Sequence, residues 1–380
     1  MKRGAFVNLL IGITIALLPL YNRICALDFN RTSKDNLLIV ICSLLAFLLP
    51  SASRRMSKVL YAALFYGLFF IVFNQYNVLS MNVIFQTFYV VSAMCFFAHY
   101  YEKHDADSVH YILNGMMVGS IIQSVLAIFC YYGIELYPYF VSVFSHIGKI
   151  SSPGAGKSNT VGSLGNGNLL ASYIAMTAIP FLKSKYKWLI VIPAYALFLA
   201  DSLTANASFI LGILYYLNSH KNIIKKWIIY LSSIVAMLVF PFLNLGIDSG
   251  RIEGWTKIIK MATLKHWIMG MGVGWFPDQR LIFGNGETYL AQEHNAFLSV
   301  FNVFGIIGFL FLLPEFIKFI KTDDKNKIFA SILFVAWCNS YSHFTLHQST
   351  VVVIIMVVAS VCLAEGNKNG VGMDRFGIKD

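Results

Sequence analysis

Apolar runs of about 20 residues recur along most of this chain, parted by short polar connections, and that rhythm confines it to one kind of fold. An α-helix must be about that long, and mostly apolar, to cross a bilayer, and inside lipid its backbone groups can bond only to one another. Runs of this kind lie near 4–21, 36–52, 58–78, 80–100, 109–134, 164–183, 187–203, 204–220, 226–246, 295–320, 327–343 and 346–364. Twelve spans would take up roughly 240 residues and leave mostly short loops. Charged residues make up 12% of the chain, against about 25% in soluble domains. The expectation is an all-α polytopic membrane protein of about twelve transmembrane helices, with residues 1–380 forming a single membrane domain.

A formal net charge of +11 raises nucleic acid as a partner, but the basic residues sit in small clusters between apolar runs. That is the pattern of charges that orient helices in a membrane, so the expected partner is the lipid bilayer and not nucleic acid. With the first residues inside, inner segments hold Lys2 and Arg3, then Arg54, Arg55 and Lys58, then Lys103, and after them Lys183, Lys185 and Lys187. Lys221, Lys225 and Lys226, the lysines between 318 and 327, and Lys368, Arg375 and Lys379 complete that side. Nineteen of the 29 Lys and Arg residues thus fall inside, which predicts two cytoplasmic termini. The apolar stretch after Arg3 shows no small-x-small cleavage site and reads as an uncleaved first span. Of the six cysteines only Cys25 falls in a connection, and no pair has metal-ligand spacing.

Two outer connections are long, at 135–163 and 247–294. Long loops on a rigid scaffold are where function concentrates. The first carries Tyr137, Tyr139 and Phe140, which suit anchoring at a membrane interface. The second starts at Asp248-Ser249-Gly250 and continues with a stretch from Ile252 to Trp267. There Ile252, Trp255, Ile259, Ala262 and His266 fall on one helical face, predicting an amphipathic helix at the boundary.

Several motif matches fail on context. Gly154-Ala155-Gly156-Lys157-Ser158 resembles the end of a phosphate-binding loop, but Ser151 replaces its first glycine and no strand precedes it. Asp105, Asp107, Asp323 and Asp324 lie on short cytoplasmic turns, where solvated acids are common. His343 and His347 have no carboxylate or thiol nearby to complete a metal site. The constellation that stands out is in the late outer loop. It runs Arg251-Ile-Glu-Gly-Trp255, then Met269-Gly270-Met271-Gly272-Val273-Gly274-Trp275, then Glu293-His294-Asn295, and leads into Phe304-Gly305-Ile306-Ile307-Gly308. Arginine presents a fork of donors suited to phosphate oxygens. Histidine can take a proton from a hydroxyl nucleophile near neutral pH. Alternate glycines permit a close backbone approach. The bland reading of the same residues is a snorkelling Arg251 and a helix-capping His294.

The order Arg-x3-Trp, Gly-x-Gly-x-Gly-aromatic, His-Asn-x2-Leu and Gly-x2-Gly resembles the O-antigen ligase/polymerase superfamily. A second match lies upstream, at Gly162-Ser163-Leu164-Gly165-Asn166-Gly167-Asn168-Leu169. The likeness covers roughly 160–312. It implies a metal-independent glycosyltransferase without cofactor, moving a glycan from a polyprenyl-diphosphate carrier to an acceptor hydroxyl. The acceptor would be a glycan, lipid or protein on the outer face of a bacterial inner membrane. By the same resemblance His294 would activate the acceptor as the catalytic residue. Arg251, with Arg280 and Lys257, would hold the donor diphosphate, supported by Trp255, Gly270, Gly272, Gly274, Asn295, Asn166 and Asn168. The family's Thr-x-Ser-Arg-like segment has a counterpart at Leu203-Thr204-Ala205-Asn206-Ala207-Ser208, which lacks the arginine.

Three rival readings remain at this stage. One is a polymerase of repeat units within the same superfamily. Another is a polyprenyl-monophosphate-sugar transferase using Asp28 as base. The third is a transporter of the lipid-linked glycan, which the lack of an internal repeat and of mid-span charges disfavours.

Overall fold

The computed structural model describes residues 3–24, 100, 109–132, 164, 167–221, 223–239, 263–270, 280–282, 288–290, 295, 305–307, 310, 327–340, 354–355 and 357–358. These residues form α1 (Arg3–Ile24), α2 (Val109–Tyr131), α3 (Gly167–Thr177), α4 (Val191–Leu199), α5 (Leu203–Lys221), α6 (Lys226–Val239), α7 (Leu264–Met269) and α8 (Lys327–Asn339). A small antiparallel ladder of β1 (Arg280–Ile282) and β2 (Thr288–Leu290) is the one non-helical element among them. Seven of the helices fall on expected spans. The expected spans at 36–52 and 58–78, nearly all of that at 80–100, and most of 295–320 and 346–364 lie outside the described residues.

Prolines divide two of the expected spans. The 164–183 run becomes α3 followed by a 3-10 segment, Ile179–Lys183, with Pro180 in its first turn. The 187–203 run starts as a 3-10 segment, Lys187–Ile190, before α4. Pro193 offers no N–H and crowds the carbonyl four residues back, which favours the tighter winding there. Between α4 and α5 the chain reverses over Ala200–Ser202. Asp201 sits there at φ 49, a left-handed conformation that Asp tolerates better than most residues. Asn218 fixes the next reversal. Its side chain accepts from the Ile224 N–H and donates to the Ile224 carbonyl, both at 2.9 Å.

Two helices, α3 and α8, are buried on nearly every side and form the centre. α4 and α5 pack on α3, α5 and α6 pack on α8, and α2 reaches α3 where Gly119 meets Tyr173. α5 crosses α8 where Gly212 meets Val335, leaving no room for a Cβ, and Gly212 also abuts Ile179. Tyr215, Tyr230, Phe334 and Trp337 lock α5, α6 and α8 together. Tyr215 stacks on Phe334 at 4.7 Å between centroids, and Tyr230 meets Phe334 edge-on at 5.3 Å. Such pairs add about 0.5–1.5 kcal/mol each beyond burial. α1 crosses α2 through small residues. A Cβ on Gly115 would collide with the Gly12 backbone, and one on Gly119 would meet the Ala16 carbonyl oxygen at 3.0 Å.

These contacts fix directions. Gly12 lies against Gly115 and Ala16 against Gly119, so α1 and α2 run parallel. Tyr230 packs on Phe334, and Trp337 Nε1 donates to Ser233 Oγ at 3.1 Å, so α6 and α8 also run parallel. The tight reversals make α4 antiparallel to α5, and α5 antiparallel to α6.

The exterior is apolar as well as the core, unlike that of a water-soluble bundle, and a few polar residues lie inside. Trp188, Val191, Phe198, Leu203, Ile210, Leu214 and Leu231 are exposed, while Ser124, Thr177, Ser208, Ser219, Ser331 and Asn339 are buried. The hydroxyls of Ser124, Thr177, Ser208 and Ser219 donate at 2.7 Å to carbonyls three or four residues back, and that of Ser331 at 2.8 Å. They are thereby satisfied without water. No charged side chain is buried among the described residues. Val109–Tyr131 is the one described helix that is both long and apolar enough to cross a membrane, with mean hydropathy 1.8 over its best window.

Candidate functional site

Between α6 and α8 the described residues of the candidate region are α7, the ladder, Asn295, the short helical turn at 305–307 and Leu310. α7 begins at Thr263, whose extended backbone (φ −78, ψ 165) no helix can pass through. The continuous amphipathic helix expected over 252–267 is therefore broken there. The new helix is capped instead: the Thr263 N–H donates to His266 Nδ1 at 3.3 Å, and the Trp267 N–H donates to the Thr263 carbonyl at 3.0 Å. This capping engages His266. Lys265 is exposed beside it, as is Leu264.

α7 ends on Gly270, the first glycine of the alternating run. Its N–H closes the helix by donating to the His266 carbonyl at 2.7 Å, and its backbone then turns to φ 80, ψ 172. That region is open essentially to glycine alone. Gly305, at φ 62, is packed on this same point: a Cβ there would run into the Gly270 nitrogen and the Ile268 carbonyl. Two motif segments 35 positions apart are thus in backbone contact: the dihedrals of Gly270 exclude a side chain, and Gly305 has neither the room nor the dihedrals for one.

The ladder closes a second approach. Arg280 pairs with Leu290, Leu281 with Tyr289 and Ile282 with Thr288. The intervening Gly284-Asn285-Gly286 is turn chemistry. The register sets Arg280 beside Leu290, five residues ahead of Asn295, which is buried. Asn168 lies in the first turn of α3, half-buried, next to the buried Gly167.

Of the residues selected from sequence, Gly270, Arg280, Asn295 and Asn168 are described. Gly270 is brought against Gly305, and Arg280 against Leu290. Arg251, Lys257, Trp255, Gly272, Gly274, His294 and Asn166 lie outside the described residues, as does Asp28. In the segment lacking the family's arginine, Ala205 and Ser208 face inward and Ala207 is exposed at the start of α5. The Gly-x2-Gly pattern marks Gly305 in the sequence, but nothing in the pattern names Gly270 as its partner. Among the described residues, no three His, Cys, Asp or Glu side chains gather as metal ligands would.

Comparison with known proteins supplies no relative. No family model, curated protein or solved structure matches the chain.

Proposed function

We infer that this chain is a polytopic membrane glycosyltransferase of the O-antigen ligase/polymerase type. In this reading it has about twelve spans and moves a glycan from a polyprenyl-diphosphate donor to an acceptor hydroxyl on the outer face of a bacterial inner membrane. His294 takes the acceptor proton. Arg251, with Arg280 and Lys257, meets the charge that develops on the departing diphosphate, the type of fixed-charge stabilisation that carries much of catalysis where a good leaving group departs. Holding donor and acceptor side by side supplies much of the remaining rate.

The membrane placement is supported by the apolar exterior, the back-bonded interior hydroxyls and the small-residue crossing of α1 on α2, a packing mode typical of helices in lipid. The span count is supported by direction. Parallel α1 and α2 need an odd number of crossings between them, which the runs at 36–52, 58–78 and 80–100 provide. Parallel α6 and α8 need an odd number between 240 and 326, which the run at 295–320 provides.

The observation that supports grouping these segments into one site is the Gly270–Gly305 contact, which ties the first glycine of the alternating run to the Gly-x2-Gly segment. The choice between ligase and repeat-unit polymerase belongs to the acceptor, and the described residues favour neither.

The test is glycan output in a deletion strain complemented with wild type, His294→Ala or Arg251→Ala at matched membrane levels. Loss of long or ligated glycan in both variants, with lipid-linked precursor accumulating, is expected. Normal output from both would remove the proposed site.

A further inference from the structure

The end of the bundle where α6 and α8 begin carries a cationic patch, and its make-up points to an occupant. Lys183, Lys185, Tyr186, Lys187 and Trp188 are all exposed in one connection. Their turn is held: the Tyr186 N–H donates to Ser184 Oγ at 3.0 Å, and Lys185 Nζ lies 4.9 Å over the Tyr186 ring. The second connection, clamped by Asn218, presents exposed Lys225 and Trp227 with Lys226 between them. Ile179 and Gly212 are in contact, Ile179 four residues before Lys183 and Gly212 six before the Asn218 clamp. Lys327, the first residue of α8, starts at the same end. The only carboxylate among the described residues, Asp201, is at the other end, in the α4–α5 reversal.

Immediately below the lysines the surface becomes wholly apolar, with Val191 67% and Phe198 73% exposed on α4, and Ile210, Leu214 and Leu217 on α5. A nucleic acid or an acidic peptide would use the cations and leave that wall bare. A molecule with a negative head and two hydrocarbon tails covers both. Lysine stems lie along the wall with their ammonium groups at its rim. Tyrosine and tryptophan rings prefer the headgroup level. Lysine clusters directly beside a span attract acidic headgroups.

We propose that the 183–188 and 223–227 connections form a binding site for acidic glycerophospholipid, in which the lysines hold the headgroup phosphate and the α4–α5 wall holds the acyl chains. This rests on the membrane placement above but not on the glycosyltransferase chemistry. It adds a lipid-selective contact on the face away from the glycan.

The experiment reconstitutes the full chain into vesicles of phosphatidylcholine and phosphatidylglycerol, one or the other carrying brominated acyl chains that quench nearby tryptophan. The wild type is expected to prefer phosphatidylglycerol about fivefold or more, since each lysine near an acidic surface is worth about that factor. The Lys183→Gln/Lys185→Gln/Lys187→Gln variant should fall to near-equal affinity, and 1 M salt should weaken the wild-type preference. A wild type without preference, or a triple variant that keeps it, overturns the proposal. Carbonate extraction separates the two levels. A chain washed from membranes would overturn both readings, whereas one retained without lipid preference would overturn the patch alone.

Discussion

The two ends of this bundle are built differently. At one end successive helices are joined by short connections with exposed lysines, each pinned by a local bond such as the Asn218 clamp on Ile224. The stretch between α6 and α8 is instead long, some 87 positions from 240 to 326, and within it Gly305 packs on Gly270. Cations at the first end can orient the chain and hold headgroups, and they have no glycine-lined backbone contact beside them. The second end has fewer described charges, yet it is where two motif segments are drawn together.

The comparison breaks first at His294. His294→Ala should cut glycan output about 100-fold or more, in line with loss of a general base, while Ser184→Ala at the lysine end leaves it unchanged. Gel profiles of surface glycan in complemented cells would read both, and equal effects at the two ends would erase the distinction. Next in size is Gly115→Leu at the α1–α2 crossing. The added side chain has to enter the Gly12 backbone, so a loss of about 3 kcal/mol or more is expected. It should appear as little folded protein in fluorescence-detected size exclusion. Unchanged yield would remove the parallel packing from which the directions are read.

Gly305→Ala sharpens the account at the outer end. A non-glycine residue at that positive φ costs about 1–3 kcal/mol, and the methyl also meets Gly270. Output should drop about tenfold at normal membrane level, because a displaced glycine run misplaces donor groups. Wild-type output would mean that the contact does not position the site. Smallest is Ser233→Ala, which removes the partner of Trp337 Nε1. A loss of about 0.6 kcal/mol, typical of hydrogen bonds between membrane helices, should show as a small fall in the thermal midpoint.

Much of the helix layout was legible in sequence because length and hydropathy are strong signals: α5 and α8 start within a residue of the expected spans at 204–220 and 327–343. What was not legible came from local backbone chemistry. Pro180 and Pro193 turned parts of two spans into 3-10 turns, and Thr263 takes an extended backbone at a point where the apolar periodicity ran straight on. Periodicity records which face is apolar, not whether one residue's dihedrals permit the helix to continue. At the site, residue types marked Gly270 and Asn295, but no spacing rule could say that Gly305 would touch Gly270. The small-x3-small pairs, Gly115 with Gly119 and Gly12 with Ala16, were present in the sequence and are a recognised signature of close helix packing in lipid.

The most direct test of the opposed ends is labelling with a membrane-impermeant maleimide in intact cells, on a background with the six native cysteines replaced. Asn285→Cys, between the two strands, should label without permeabilisation, and Ser184→Cys, in the lysine turn, only after it. Labelling of both positions from the same side would contradict the odd number of crossings that α4, α5 and α6 make between them, and with it the proposed side of the candidate site.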